Sequence, residues 1–257
     1  MVNLRIPGPT PIPEQVLEAS SRQMVNHRGP EFKEILLRTT KQLQELFVTT
    51  NDLLILTASG TGAMEAAVVN TLSPGDRVLV VSIGVFGERL AQIPRIYGAD
   101  VQVLLVEYGK AVDPEEVRKA LQADPAIKAV LITHNETSTG VTNDLKSVAK
   151  IVKGEFNKLL IVDAVSSIGS IACPVDEWDL DVVASGSQKG WMSPPGLAFV
   201  SMSPTAWRAS EQATIPRFYF DLAAAKKYLE RGQNPWTPAV SVFYALAACQ
   251  DHVVLGP

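Results

Sequence analysis

Lys189 lies in Ser185-Gly186-Ser187-Gln188-Lys189-Gly190, just past the apolar run Leu180 to Ala184. Open α/β sheets place their chemistry at strand ends. A lysine held there, partly out of water, loses some of its preference for the charged form. A neutral amine is a nucleophile, and an aldehyde is its natural partner. Lys189 is therefore the first candidate for a Schiff-base lysine. An isolated lysine in a turn is usually a surface residue, so the reading depends on its company.

Four other segments supply that company. Ala58-Ser59-Gly60-Thr61-Gly62-Ala63-Met64-Glu65-Ala66 follows the apolar run 53–57 and opens a helix. Glycines let the backbone approach an anion, the positive end of the helix favours phosphate, and Thr61 adds a hydroxyl. A dinucleotide fingerprint fits less well, because Glu65 replaces its third glycine and no acid ends the next strand. A glycine-rich turn capped by Thr61 accounts for the segment about equally well. Asp163 ends an apolar strand 26 residues before Lys189. A buried carboxylate needs a cation or donors, and a protonated pyridine nitrogen would serve. Helix capping is the commoner use of a lone aspartate at such a place. Thr133 to Thr139, followed by Gly140, sets seven hydrogen-bonding side chains after a strand. That run suits a binding loop or a solvated turn. Phe86, in Ile83-Gly84-Val85-Phe86-Gly87-Glu88-Arg89, could stack on a planar ring or join the core. Together, a phosphate cup, a stacking ring, a carboxylate and a lysine are the parts that pyridoxal 5'-phosphate requires.

The elements that would position these residues alternate along the chain. Residues 1–13 carry Pro7, Gly8, Pro9, Pro11 and Pro13 and read as an extended arm. A helical pattern then runs from about residue 14 to Phe47. Strands are predicted at 53–57, 77–83, 101–106, 129–133, 159–162, 180–184 and 197–201. Helices are predicted at 62–72, 86–97, 114–123 and near 145–152, with Asp113 as N-cap and Pro114 at the first position of the third. Continuous apolar strands alternating with helices indicate an α/β three-layer sandwich with a mostly parallel sheet. Helices dominate residues 216–257, ending in an apolar helix from Ala239 to about Val254.

Composition narrows the function classes. The chain has 257 residues, 46% of them hydrophobic, a formal net charge of -4 and two cysteines. A large core is expected, and the acidic balance argues against nucleic acid as a partner. No apolar stretch is long enough to span a membrane, and no signal pattern opens the chain. Cytoplasmic location is the default. Cys173 and Cys249 suggest no disulfide framework. His27, His134 and His252 are too far apart for a local metal motif.

These motifs together resemble the class V pyridoxal-phosphate aminotransferases, nearest the serine/alanine–glyoxylate branch. The matching segments are Pro7-Gly8-Pro9-Thr10-Pro11, Asn26-His27-Arg28, 59–66, 84–89, 133–140, 162–167 and 185–189. The resemblance implies an N-terminal arm at 1–20 and a cofactor-binding large domain at 21–257. It implies that Lys189 forms the Schiff base and moves the substrate Cα proton. Asp163 would pair with the pyridine nitrogen, with Val165 on one ring face and Phe86 on the other. Thr61, Gly62, Ala63 and Gln188 would hold the phosphate, and Thr137 would reach the ring hydroxyl. Gly8 would touch the substrate carboxylate. Asn234 and Thr237 would reach the phosphate of a neighbouring subunit, implying a homodimer with shared active sites. Family members continue past the point where this sequence stops, into a domain that supplies a carboxylate-clamping arginine. The resemblance therefore implies that this domain is absent here, and that cofactor capture is better supported than turnover. Two alternatives remain. One is a lyase of the cysteine desulfurase type, although Gln188 stands where those relatives usually have a histidine. The other is a non-catalytic partner, since some relatives are labelled soluble hydrogenase subunits. Two isolated cysteines offer no nickel–iron or iron–sulfur ligand set.

Overall fold

The structure, a computed structural model, describes residues 4–255. Seven strands form one sheet: β1 (Asp52–Ala58), β2 (Arg77–Ser82), β3 (Asp100–Leu105), β4 (Ala129–Thr133), β7 (Leu159–Asp163), β8 (Val182–Gly186) and β9 (Gly196–Met202). A two-stranded ribbon, β5 (Asn135–Glu136) and β6 (Val141–Thr142), projects after β4. The sheet order is β1-β9-β8-β7-β4-β2-β3. Only β9 runs against the others, antiparallel to both β1 and β8. The strand ends named in the sequence reading therefore lie along one edge of the sheet.

The apolar runs exist because both faces of the sheet are covered. Along β2, Leu79 and Val81 enter one core while Val78 and Val80 enter the other. The first core takes its helical side from α2 (Pro30–Phe47), α5 (Pro114–Ala123), α6 (Leu145–Ala149) and α9 (Val240–Leu255). The second takes it from α3 (Gly60–Thr71), α4 (Val85–Ile96), α7 (Pro204–Gln212) and α8 (Leu222–Leu229). This is the three-layer α/β sandwich that the alternation implied.

Three local expectations need correction. The helical pattern from 14 to 47 is two helices, α1 (Glu14–Ser20) and α2, separated by 21–29. A turn closes there, with Gly29 N–H donating to the Asn26 carbonyl at 2.8 Å, and Pro30 then starts α2. The helix expected near 145–152 is α-helical only to Ala149 and widens into a π-helix at Lys150–Glu155. The strand expected from Leu180 begins at Val182, because Asp181 turns away to serve as a buried acceptor. Its carboxylate receives Lys153 at 2.6 Å, Leu160 N–H at 2.9 Å and the Ser203 hydroxyl at 2.9 Å. Residues 256–257 of the tail, and the side chain of His252, lie outside what the structure describes.

Candidate active site

The loop after β8 turns over a buried tryptophan. Trp191 stacks on Phe47 at 5.7 Å, meets Phe199 edge-on at 5.5 Å and donates its indole N–H to Ser185 at 3.0 Å. With that loop anchored, Lys189 points into a cavity of about 260 Å³. Gly8, Pro9, Thr61, Phe86, Asp163, Val165, Gln188 and Lys189 all line it, as do Ser59, Gly60, Met64 and Arg89. Residues from the arm, α3, α4 and the ends of β7 and β8 thus meet at one place.

The arm closes one side. Thr10 N–H donates to the Gln188 carbonyl at 3.0 Å, and the Thr10 hydroxyl donates to the Lys189 carbonyl at 3.0 Å. Lys189 Nζ donates to the Pro7 carbonyl at 3.3 Å. Gly8 lies against the lysine stem so closely that a Cβ there would sit 2.8 Å from Cδ, and its φ of +145° disfavours any other residue. Burial lowers the Lys189 pKa, partly opposed by the Asp163 charge. The amine therefore gives up its proton more readily than a surface lysine does.

Asp163 is only 9% exposed. Among the described residues its carboxylate accepts one hydrogen bond, from Val165 N–H at 3.0 Å. Burial pushes its carboxyl up to about 6; the Glu136 charge adds to this, while the Val165 N–H, Lys189 and Arg89 oppose it. A carboxylate so placed would be eased by a cation in the cavity.

The floor is the start of α3. Its N-cap, Ser59, makes no side-chain cap, so the first-turn N–H groups remain open to an anion. Val165 packs on Gly60, where a Cβ would fall 2.6 Å from Val165 Cγ2. Gln188 Oε1 is buried without a partner among the described residues. These features fit pyridoxal phosphate: an amine for the aldehyde, a donor-rich helix start for the phosphate and an under-satisfied carboxylate for the ring nitrogen.

Not every expected residue reaches this cavity. Gly62 and Ala63 are buried behind the first turn of α3, and Thr137 sits on the β5–β6 turn; none of the three lines it. Asn234 donates to the Ile55 carbonyl at 3.0 Å and lines a separate, smaller cavity with Tyr219 and Trp236. Thr237 is exposed nearby. Arg28, of the Asn26-His27-Arg28 motif, fastens that segment by donating to the Asn234 carbonyl at 2.6 Å and the Pro235 carbonyl at 3.0 Å. Cys173, expected on a strand, lies outside the strands; burial pushes its thiol up to about 12.

Two residues escaped the sequence reading. Arg89 lines the cavity with its guanidinium 4.8 Å from the Phe86 ring centroid; its spacing of three from Phe86 on a helix was the available signal. Glu136 is fully buried within the polar run 133–139. The clue to it was a helix whose N-cap is Gly84, which has no side chain with which to cap.

Comparison with known proteins agrees with this geometry. The family described as Aminotransferase class-V matches residues 2–252. The "Soluble hydrogenase 42 kDa subunit" of Anabaena cylindrica is 48% identical over 255 residues, covering 98% of this chain and 65% of that protein. The L-aspartate–glyoxylate aminotransferase of Paracoccus denitrificans is 39% identical, covering 97% of this chain and 64% of that one. The crystal structure of an alanine–glyoxylate aminotransferase from Nostoc sp. superposes with a TM-score of 0.92 at 32% identity, covering 98% of this chain and 67% of that chain. The chain thus spans a little under two thirds of the length of these two curated relatives.

Proposed function

The chain belongs to the class V aminotransferases, and on that premise we propose that it transaminates a small amino acid, serine or alanine, with glyoxylate as acceptor. The observation that carries the reading is the convergence of Lys189, Asp163 and the uncapped start of α3 on one cavity. Glyoxylate as acceptor is supported by its place in the names of both the Paracoccus and the Nostoc proteins. Pyridoxal 5'-phosphate, when bound, supplies an aldehyde carbon for the amino group and a ring that accepts electron density.

The chain's own residues then have distinct tasks. Thr61 and the open N–H groups of α3 would hold the phosphate, with the Gln188 amide beside them. Asp163 would sit at the ring nitrogen and favour its charged form. Val165 and Phe86 would confine the ring. Lys189 would supply the amine that takes up the aldehyde and, when free, a base for the substrate Cα proton. Gly8 and Pro9 close the cavity from the arm side and limit water. Thr137 at the ring hydroxyl, and Asn234 and Thr237 at a partner subunit's phosphate, complete the proposal. The last two imply a homodimer with shared sites.

A lyase of the desulfurase type needs a reactive thiol. Cys173 is buried with a raised pKa and does not line the cavity, so nothing here favours that reading. The name of the Anabaena relative keeps a non-catalytic role open to test. Purified protein with added pyridoxal phosphate should develop a visible absorbance band that shifts on adding serine or alanine. Lys189→Ala should abolish the band. A band that persists in that variant identifies another lysine, and a protein that never binds the cofactor supports the non-catalytic role.

A further inference from the structure

Glu136 has no part in the reaction described above, yet its side chain is fully buried next to the cavity. Both carboxylate oxygens are occupied. Oε1 accepts from Ser138 N–H at 3.1 Å, the Ser138 hydroxyl at 2.7 Å and Phe86 N–H at 3.3 Å. Oε2 accepts from Phe86 N–H at 3.2 Å and Gly87 N–H at 3.1 Å. The first turn of α4 is thus capped from a different segment, in place of the side chain that Gly84 lacks. A Cβ at Gly84 would lie 2.5 Å from Glu136 Cγ, so the glycine is what admits the carboxylate. That same first turn carries Phe86, and Arg89 follows one turn on; both line the cavity. On its other side, Glu136 is among the charges that act on Asp163, the others being Lys189 and Arg89. Its field also reaches Tyr108, whose hydroxyl donates to Glu88.

We infer that Glu136 is a positioning residue of this cavity: it fixes the start of α4, and with it Phe86 and Arg89. The inference rests on the cofactor reading above. Its effect on binding should follow through the Phe86 ring, and the titration of Asp163 gives a second readout of its charge.

The variants Glu136→Ala and Glu136→Gln test this. Three quantities are measured: amide exchange at Phe86 and Gly87 in cofactor-free protein, the pH midpoint of the Asp163 side-chain carbon by NMR, and the dissociation constant for pyridoxal phosphate. In Glu136→Ala the two amides should exchange about tenfold faster, and the dissociation constant should rise roughly tenfold as the ring loses its stacking partner. Glu136→Gln keeps an acceptor and the side chain's size, so amide protection should return. Its Asp163 midpoint should fall, because the like charge is gone. A folded Glu136→Ala that binds the cofactor as tightly as wild type overturns the positioning role. If the alanine protein does not fold, Gly84→Ala, whose Cβ would displace the Glu136 carboxylate, takes its place, and unchanged exchange at Phe86 and Gly87 in it overturns the positioning role. If wild type binds no cofactor, the cofactor reading fails; the exchange and titration data still decide what Glu136 does.

Discussion

Burying Asp163 costs the fold stability. Folding raises its carboxyl from 3.8 to about 6. Below 3.8 it is protonated in both folded and unfolded chains and carries no penalty. Between 3.8 and about 6 the folded chain keeps the proton that the unfolded chain releases, so stability falls as pH rises. The full penalty, on the order of 3 kcal/mol, is present above about pH 6. In cofactor-free protein, Asp163→Asn should therefore gain stability relative to wild type between pH 4 and pH 7, measured by chemical denaturation. An unchanged difference across that range would remove Asp163 as the burdened group. The same substitution should weaken pyridoxal phosphate binding, since an amide cannot answer a ring cation. Gly8 is the second sensitive point. Gly8→Ala meets both the positive φ and the lysine stem, so it should slow capture of the cofactor by Lys189 in stopped-flow absorbance while the melting temperature moves by only a few degrees.

Secondary-structure elements differ in how plainly the chain announces them. The helix Pro114–Ala123 was legible to the residue, because Asp113 caps it by accepting from Glu115 N–H at 2.9 Å and Pro114 takes its first position. The central strands were legible because burial on both faces keeps them almost wholly apolar, as in Ala129–Thr133 and Leu159–Asp163. The break at 21–29 was obscured by Met24 and Val25, which continue an apolar pattern across a turn. The π-helix is a matter of hydrogen-bond register, which side-chain periodicity does not encode. That Lys189, Asp163, Thr61 and Phe86 would meet at one place was readable, because strand ends are marked locally. Glu136 was not, because its cap spans 50 residues of sequence to Phe86. Elsewhere, Lys153 and Asp181 tie the π-helix to the strand starts, with side chains 7% and 0% exposed. Lys153→Ala leaves that acid without its cation and should cost about 3 kcal/mol or more in urea denaturation. A cost below 1 kcal/mol would mean the hydrogen bonds from Leu160 and Ser203 suffice.

Across the molecule as a whole, the homodimer proposed above would bring a neighbouring subunit to the second cavity. Phe218, 74% exposed, packs on Trp236 at 4.6 Å beside Tyr219 and Asn234. A contiguous aromatic surface of this kind is expected to be covered in an assembly. Sedimentation should give a dimer, and Phe218→Asp should shift it toward monomer; a wild-type monomer would remove the shared-site proposal. The sheet order also has a consequence for how the protein comes to exist. β1 pairs with β9 alone, and β9 is made nearly 140 residues after the strand it secures. During synthesis the turn at 59–62, proposed to hold the phosphate, therefore emerges early but lacks its neighbouring strand until residue 202 has left the ribosome. Nascent chains shorter than that should be readily cleaved within 52–62 and should not retain the cofactor, whichever residues of the cup they already carry. On the proposed function, loading with the cofactor should therefore wait until the reversed strand has been made.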